Sequence, residues 1–173
     1  MKIIVTNDDG IYSPGILELK KAMELLGSVT LVAPDVQKSG VGHSITFSHP
    51  LRVREVYANG DFIGYGIDGS PADCVKLAVR EILKERSQLL VSGINIGANV
   101  GINVLYSGTV AAAIEGALLG IPSVALSLEI SESAPDVKGA AETAKDIIAL
   151  IMKKELPRGT LLNVNIPNIS KDK

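Results

Sequence analysis

The sequence has few aromatic residues and almost no cysteine. Aromatic side chains make up 3% of its 173 residues, tryptophan is absent, and Cys74 is the single cysteine. The core must therefore consist of Val, Ile, Leu and Ala, which suits a β-branched parallel sheet covered by Ala-rich helices. One cysteine excludes an internal disulfide and fits a reducing compartment, so a cytoplasmic location is expected.

Long apolar runs and a strong net charge are also lacking. No run approaches the roughly 20 residues of a membrane-spanning helix, and charged residues follow the first apolar ones too soon for a signal peptide. We therefore expect no membrane partner. The formal net charge is −2, which gives no electrostatic basis for binding DNA or RNA. A small phosphorylated ligand is compatible with this charge, because a metal can supply the local positive charge that it needs.

Short apolar strands alternate with amphipathic helices along the chain. The predicted strands are 2–6, 29–33, 89–91, 124–126 and 161–166, and the predicted helices are 15–26, 71–85, 109–119 and 136–153. Residues 45–66 differ, because alternating side chains from Leu51 to Tyr57 and the turn pair Asn59-Gly60 predict a small antiparallel hairpin beside the main sheet. We predict one α/β domain over residues 1–173, a Rossmann-like three-layer α/β/α sandwich with a mostly parallel sheet.

Two adjacent carboxylates follow the first predicted strand. Asp8 and Asp9 lie in the tight segment Thr6-Asn7-Asp8-Asp9-Gly10, and like charges this close repel each other unless a cation lies between them. In open α/β sheets, ligands bind in the crevice at the carboxyl ends of the strands. The pair therefore predicts a hard divalent metal, Mg²⁺ or Mn²⁺, held by oxygen ligands. The alternative is a solvated turn in which both residues only cap the backbone.

Two neutral oxygen donors follow later strands. Ser39 lies in the loop after the second strand and Asn95 in the loop after the third, so right-handed crossovers bring both to the edge that carries Asp8 and Asp9. Together the four side chains form the predicted metal-ligand set. The sequence has no cluster of His and Cys residues, which argues against a structural zinc site.

The segment 93–101 is rich in glycine. Its spacing does not fit G-x-G-x-x-G, and the chain has no G-K-[ST] sequence, so neither a dinucleotide loop nor a P-loop is predicted. The glycines would let the backbone approach a ligand closely. Asn99 in this segment is a predicted substrate-binding residue, as is Asn7 beside Asp8. The alternative is a turn in which the glycines are needed only because the backbone adopts positive φ angles.

A phosphate site is predicted at the start of the helix that follows Tyr106. Free N–H groups and the positive end of the helix dipole attract anions there, and Ser107, Gly108 and Thr109 would supply the contacts. Plain N-capping by Ser107 or Thr109 is the alternative, and the two roles are compatible.

His43, between Gly42 and Ser44 in a polar loop, is the best candidate for proton transfer among the residue types present. The alternative is a hydrogen-bonded histidine that holds its loop in place. Cys74, in the first turn of the helix that follows Ser70, is expected to be a buried apolar residue rather than a nucleophile.

Five motifs occur together in the order of a known family. They are Thr6-Asn7-Asp8-Asp9-Gly10-Ile11, Ser39-Gly40-Val41-Gly42-His43-Ser44-Ile45-Thr46, Pro71-Ala72-Asp73-Cys74-Val75, Ser92-Gly93-Ile94-Asn95-Ile96-Gly97-Ala98-Asn99 and Tyr106-Ser107-Gly108-Thr109-Val110. With these motifs the chain resembles the SurE survival proteins, metal-dependent 5′-nucleotidases with broader acid-phosphatase activity. The resemblance runs from the first strand to Asn163-Val164-Asn165-Ile166-Pro167.

This resemblance implies a Rossmann-like fold, one divalent ion per subunit, nucleoside monophosphates as substrates, and a homodimer or homotetramer. The family's metal ligands fall on Asp8, Asp9, Ser39 and Asn95. Its phosphate contacts fall on Ser107, Gly108 and Thr109, with Asn99 and His43 nearby.

The chain departs from the family pattern at three points. Ser70 stands where members commonly have Thr, which retains the helix cap, and Ala111 replaces a frequent Gly, which should strengthen the helix. Members usually continue past the end of this sequence with an extended hairpin and a C-terminal tail used in subunit exchange, and that extension is expected to be absent here. The oligomer implied by the resemblance depends on it.

Hydrolysis of a nucleoside 5′- or 3′-monophosphate to nucleoside and phosphate is the leading hypothesis, with Asp8 or His43 transferring the proton. A phosphatase that uses Asp8 as a covalent nucleophile usually shows Asp-x-Asp instead of adjacent acids. A signalling receiver domain needs an acceptor Asp at the end of strand three, where Ser92-Gly93 stands. A catalytically silent nucleotide-binding module is the remaining alternative.

Overall fold

A seven-stranded sheet forms the centre of the computed structural model, which describes residues 1–130, 132–154 and 156–169. The strands are β1 (Lys2–Thr6), β2 (Ser28–Pro34), β3 (Val53–Ala58), β4 (Asp61–Ile67), β5 (Leu89–Ile96), β6 (Ser123–Leu128) and β7 (Leu161–Ile166). The helices are α1 (Pro14–Glu24), α2 (Pro71–Leu77), α3 (Asn103–Tyr106), α4 (Gly108–Leu118) and α5 (Val137–Lys154), and a π-helical segment (Ala78–Ile82) follows α2. The strand order is β3-β4-β2-β1-β5-β6-β7, and β3 with β4 is the antiparallel pair within this described sheet.

Helices cover both faces of the sheet. Alternate residues of β1 point to opposite faces, so Ile3 and Val5 join the apolar cluster under α1 and α5, whereas Ile4 joins the cluster under α2 and α4. Such runs of apolar residues, buried on both sides, are typical of central parallel strands. The predicted three-layer α/β/α sandwich is confirmed.

The hairpin is also confirmed, and it belongs to the main sheet. β3 and β4 pair antiparallel around Asn59 (φ 52°) and Gly60 (φ 90°), the positive φ angles that a tight hairpin turn requires. β4 pairs parallel with β2, with Val32 opposite Tyr65. The hairpin therefore lengthens the sheet by two strands instead of lying beside it, and residues 45–52 contribute no strand.

Most boundaries lie within two residues of the sequence prediction, and the larger differences are at α2 and β5. The α-helix that begins after Ser70 ends at Leu77, short of the predicted residue 85, because the chain widens into the π-helical segment. β5 continues to Ile96, beyond the predicted end at 91, since Gly93 has no Cβ. A Cβ there would lie 2.4 Å from the Leu126 carbonyl oxygen, so glycine lets β5 stay beside β6. The short helix α3 has no counterpart among the predicted helices.

None of the described helices is long and apolar enough to cross a membrane. Cys74 is fully buried on α2, and burial raises the pKa of its thiol well above the usual range. It behaves as the apolar core residue that the sequence predicts.

Candidate metal and phosphate site

Three neighbouring parallel strands, β2, β1 and β5, bring the predicted metal ligands to one edge of the sheet. Asp8 and Asp9 follow β1 directly, and Ser39 lies in the segment after β2. Asn95 lies near the end of β5, three residues past Ser92, the residue that pairs with Thr6 of β1. Asp9 lies three residues past Thr6, in the turn that follows the neighbouring strand β1.

The turn after β1 is shaped by Asn7. Its amide nitrogen donates to the Gly10 carbonyl (3.1 Å) and to Ser13 Oγ (2.8 Å), and its amide oxygen accepts from the Gly10 N–H (3.2 Å). Ser13 in turn caps α1. The side chain is fully buried, and both ends of its amide are used to hold the turn. The predicted contact between Asn7 and substrate stays a prediction.

Asp8 faces the start of α4. Its carboxylate is only 5% exposed and accepts a short hydrogen bond from the Thr109 hydroxyl. Gly108 packs directly on Asp8, since a Cβ at Gly108 would lie 2.7 Å from Asp8 Cβ and 3.0 Å from Asp8 Oδ2. Burial raises the pKa of Asp8, although hydrogen bonds from Thr109 and from the Gly108 backbone oppose the rise. The first turn of α4 therefore already stabilises an anionic group.

A single amide nitrogen joins Asp9 to Ser39. Gln37 Nε2 donates to Asp9 Oδ1 (3.3 Å) and to Ser39 Oγ (2.8 Å), so both predicted ligand oxygens lie within hydrogen-bond distance of one atom. Burial raises the pKa of Asp9, and the nearby charge of Asp8 raises it further. Two carboxylates that disfavour each other's charge, with neutral oxygens beside them, fit a hard divalent cation.

Asn95 keeps its oxygen available. Its amide nitrogen donates to the Gly97 carbonyl (2.6 Å), which orients the side chain and leaves Oδ1 as a potential ligand. Among the described residues, no group of three His, Cys, Asp or Glu side chains is arranged for a metal. A cation at this edge would therefore need the neutral oxygens of Ser39 and Asn95 in addition to the two carboxylates.

The start of α4 has the features of an anion site. Ser107 is the N-cap, and its Oγ accepts from the Val110 N–H (3.1 Å), so the predicted cap and the predicted helix start are confirmed. Ser107 and Thr109 are both buried. The N–H groups in the first turn of a helix have no acceptor within the helix, and those of Gly108 and Thr109 are directed toward Asp8. The helix dipole adds to the attraction for an anion at this position.

Asn99 is held by hydrogen bonds to residues of β6 and β7. Its N–H donates to Asn165 Oδ1 (2.8 Å), and its carbonyl accepts from Asn163 Nδ2 (2.8 Å) and Asn165 Nδ2 (3.4 Å). Its side chain donates to Ser127 Oγ (2.8 Å). The two β7 asparagines therefore fix the backbone of the Gly-rich loop. Asn163 and Asn165 belong to a motif of the sequence, but no local pattern indicates this role for them.

His43 contacts Glu115, a residue that sequence reasoning missed. Its Nε2 lies 2.9 Å from Glu115 Oε2, and Lys76 Nζ lies 3.5 Å from the other carboxylate oxygen. Within the described part of the chain, no hydrogen bond or ion pair joins His43 to Asp8, Asp9 or the start of α4. The signal in the sequence was a lone acidic residue in the otherwise uncharged α4.

Fold and candidate site together define an α/β protein in which two adjacent carboxylates follow a central strand and one of them, Asp8, lies against the start of a helix. The sequence matches the family Survival protein SurE over residues 3–173. A 5′-nucleotidase SurE from Syntrophobacter fumaroxidans is 47% identical over 100% of this chain and 69% of its own length. The 5′-nucleotidase SurE 1 of Thermus thermophilus is 51% identical over 96% of this chain and 66% of its own length.

A solved structure agrees with these matches. The crystal structure of the SurE protein from Aquifex aeolicus superposes with a TM-score of 0.91 at 44% sequence identity, covering 99% of this chain and 68% of that one. The chain belongs to the survival protein SurE family, which confirms the resemblance seen in its motifs. It spans 69% of the length of the Syntrophobacter relative and 62% of that of a 5′-nucleotidase SurE from Syntrophus aciditrophicus.

Proposed function

We propose that this chain is a metal-dependent phosphomonoesterase that hydrolyses nucleoside 5′-monophosphates, and 3′-monophosphates as a second class, to nucleoside and phosphate. One observation carries the proposal: Asp8, the first of two adjacent acids, lies against the start of α4. Phosphoryl transfer needs this combination of a cation site and an anion site. The relatives named 5′-nucleotidase SurE support the choice of substrate.

The proposed cofactor is one divalent ion per subunit, Mg²⁺ or Mn²⁺, held by Asp8, Asp9, Ser39 and Asn95. The all-oxygen donor set suits these ions, which accept carboxylate and amide oxygens and usually retain waters. When bound, the ion supplies a Lewis acid for a phosphoryl oxygen.

The protein's own groups position the substrate. Ser107, Gly108 and Thr109 would donate hydrogen bonds to the phosphoryl oxygens and stabilise the charge that grows on them in the transition state. The Thr109 hydroxyl also orients the Asp8 carboxylate. Asn99, fixed by the β7 asparagines, would bound the pocket on its other side, and Asn7 would keep the acidic turn in shape.

The reaction forms a bond between a water oxygen and phosphorus and breaks the ester P–O bond. The water gives up a proton, and the leaving nucleoside oxygen gains one. Asp8 and His43 are the proposed proton carriers. Asp8 faces the pocket directly, whereas His43 Nε2 is occupied by Glu115, so only its Nδ1 is left for exchange with substrate.

We further propose acid-phosphatase activity toward other small monoesters, a cytoplasmic location and a homodimer or homotetramer. Support for the oligomer comes from α3, where Ile102, Leu105 and Tyr106 lie three and four residues apart and are 64%, 67% and 59% exposed. Apolar side chains aligned on one helix face are common in subunit contacts. The single, buried Cys74 supports the reducing location.

The test is phosphate release from a panel of nucleoside monophosphates, with and without EDTA and with Mg²⁺ or Mn²⁺ restored. We expect activity that EDTA abolishes and either metal restores. Asp9→Asn should lower kcat/KM on the order of a thousandfold, because several kcal/mol of transition-state stabilisation depend on the cation. The matched control, Asp146→Asn on the exposed face of α5, should retain wild-type activity. Full activity of the Asp9 variant in EDTA would refute the proposal.

A further inference from the structure

The Ser39 loop, residues 35–52 between β2 and β3, carries two site residues without any regular secondary structure. Ser39 is a proposed metal ligand on it, and His43 follows four residues later. Such a segment is held only by individual contacts, so each contact contributes to the position of Ser39. The Lys38 N–H donates to the Asp8 carbonyl (2.7 Å), and the Gly42 N–H donates to the Tyr106 carbonyl (2.9 Å).

Glu115 is a buried charged group that the Ser39 loop contacts through His43. It is 5% exposed and lies on the face of α4 that packs against α2, where its neighbours on α4 are mostly alanines. A buried carboxylate costs several kcal/mol unless cationic or donor groups approach it closely. Here the two groups come from different elements, His43 from the Ser39 loop and Lys76 from α2.

We propose that Glu115 is a positioning residue that draws His43 onto α4 and so holds the Ser39 loop against the phosphate-binding helix. The proposal rests on the proposed function, because it assigns Ser39 to the metal. Glu115 does not touch the reacting groups. It acts through His43, and Gly42 beside it is tied to Tyr106, one residue before the Ser107 cap. One buried carboxylate therefore links the loop of a metal ligand to the helix of the anion site.

This role differs from that of a general acid–base pair. If His43 mainly transferred protons, its loss would reduce kcat far more than the loss of Glu115. If the pair positions the loop, the two losses should match, and metal binding should weaken together with loop order. The comparison of Glu115→Gln and His43→Gln, alone and combined, separates these two roles.

The experiment measures hydrogen exchange of peptides covering residues 38–46, Mn²⁺ binding by electron paramagnetic resonance, and kcat and KM. Glu115→Gln keeps the side-chain size and removes the charge. We expect about tenfold faster exchange in 38–46, a loss of about 1.4 kcal/mol of local stability, and severalfold weaker Mn²⁺ binding. The double variant should be no worse than the poorer single one. His43→Gln, which keeps a donor, should be milder than His43→Ala.

The matched control is Glu18→Gln, which removes the surface pair of Glu18 with Lys21 on α1 and should leave exchange and Mn²⁺ affinity unchanged. Wild-type exchange and Mn²⁺ affinity in Glu115→Gln would overturn the proposal. Faster exchange spread evenly over α4 and the sheet would also overturn it, as would a kcat loss confined to His43→Gln. Hydrogen exchange and Mn²⁺ binding can be measured without catalysis. A wild-type protein that releases no phosphate would refute the proposed function, and the role of Glu115 could still be tested with these two measurements.

Discussion

The two halves of the candidate site are built in different ways. Asp8, Asp9 and Asn95 lie at strand ends and Thr109 in the first turn of α4, where the hydrogen bonds of sheet and helix set the backbone. The other half, Ser39 and His43, lies on the Ser39 loop, which is held by separate anchors on α2, α3 and α4. Regular secondary structure therefore determines the geometry of the first half, whereas individual contacts determine that of the second.

This difference indicates which side chains of the candidate site are rigidly positioned and which can be displaced. Displacing a group of the strand-end half requires movement of packed core elements, so we expect large losses from small changes there. Displacing the loop half requires only the loss of one or two anchors, and the remaining anchors limit the damage. Sites on regular elements are generally more precisely positioned than sites on loops.

Among variants that keep every proposed metal ligand, the largest effect is expected from adding a single carbon to the strand-end half. A Cβ at Gly108 would lie 2.7 Å from Asp8 Cβ and 3.1 Å from Pro71 Cγ. Gly108→Ala should therefore shift α4 away from Asp8, lower kcat/KM roughly a hundredfold, and cost about 1–3 kcal/mol of unfolding free energy.

The control for this change is Ala111→Gly, one turn further along α4. It weakens the helix by about 1 kcal/mol through backbone entropy and leaves the contact with Asp8 intact. Steady-state kinetics and urea denaturation of both variants check the prediction. Equal losses of activity in the two variants would mean that helix stability, and not the Gly108 approach, limits the site.

An intermediate effect is expected at the α2 anchor of the Ser39 loop. Asp73 completes the capping box with Ser70 and also accepts from the N–H and hydroxyl of Thr46. Asp73→Asn replaces one acceptor oxygen by a donor and should cost about 1–2 kcal/mol of unfolding free energy. Thr46→Val removes only the hydroxyl bond on the loop side and should cost about 0.5–1.5 kcal/mol.

These two variants separate the helix cap from the loop anchor. We expect Thr46→Val to raise the Mn²⁺ concentration needed for half-maximal activity while kcat at saturating Mn²⁺ stays close to wild type. Urea denaturation and metal titration measure both quantities. A kcat at saturating metal as low as that of Gly108→Ala would show that the loop half is as rigid as the strand-end half.

The smallest effect concerns the pH dependence of the metal-free protein. Burial raises the folded-state pKa of Asp8 and Asp9 above 3.8, so the native state binds more protons than the unfolded state between 3.8 and the raised values. The contribution of these two acids to stability therefore falls as pH rises through that window. Metal-free Asp9→Asn should be more stable than wild type near pH 7, and the difference should shrink toward pH 4.

Saturating Mn²⁺ supplies the control for this prediction. With the cation bound, wild type should be the more stable protein at neutral pH, because the ion needs the Asp9 charge. Urea denaturation at each pH, with and without Mn²⁺, measures the difference. A metal-free Asp9 variant less stable than wild type at pH 7 would contradict the expected sign.

The sequence was informative wherever a local pattern decided the structure. The strand 161–166 was predicted to the residue because its pattern ends at Pro167, and the helix after Tyr106 was predicted within a residue because Ser107 is a good cap. The end of β5 was not predictable, because glycine usually weakens a strand and only the fold shows that Gly93 lies where a Cβ would clash with the Leu126 carbonyl.

The candidate site shows the same division. The strand-end acids could be found because adjacent carboxylates after an apolar run are unusual by themselves. Glu115 and Gln37 could not, because their roles depend on His43 and Ser39, which only the fold brings near them. The hydrogen bonds of Asn163 and Asn165 to Asn99 could not be predicted either, because they depend on the strand order that places β7 beside β6.

The Gln37 bridge has a consequence for ion entry. Its amide nitrogen donates to both Asp9 and Ser39, the two side chains whose oxygens the proposed cation would coordinate. An incoming ion would have to displace this donor. Metal binding would then replace the neutral hydrogen-bond bridge between Asp9 and Ser39 by bonds to a cation. Gln37 is exposed, so no packed core group would have to move for its side chain to leave, and without an ion it holds the two proposed ligand oxygens near each other.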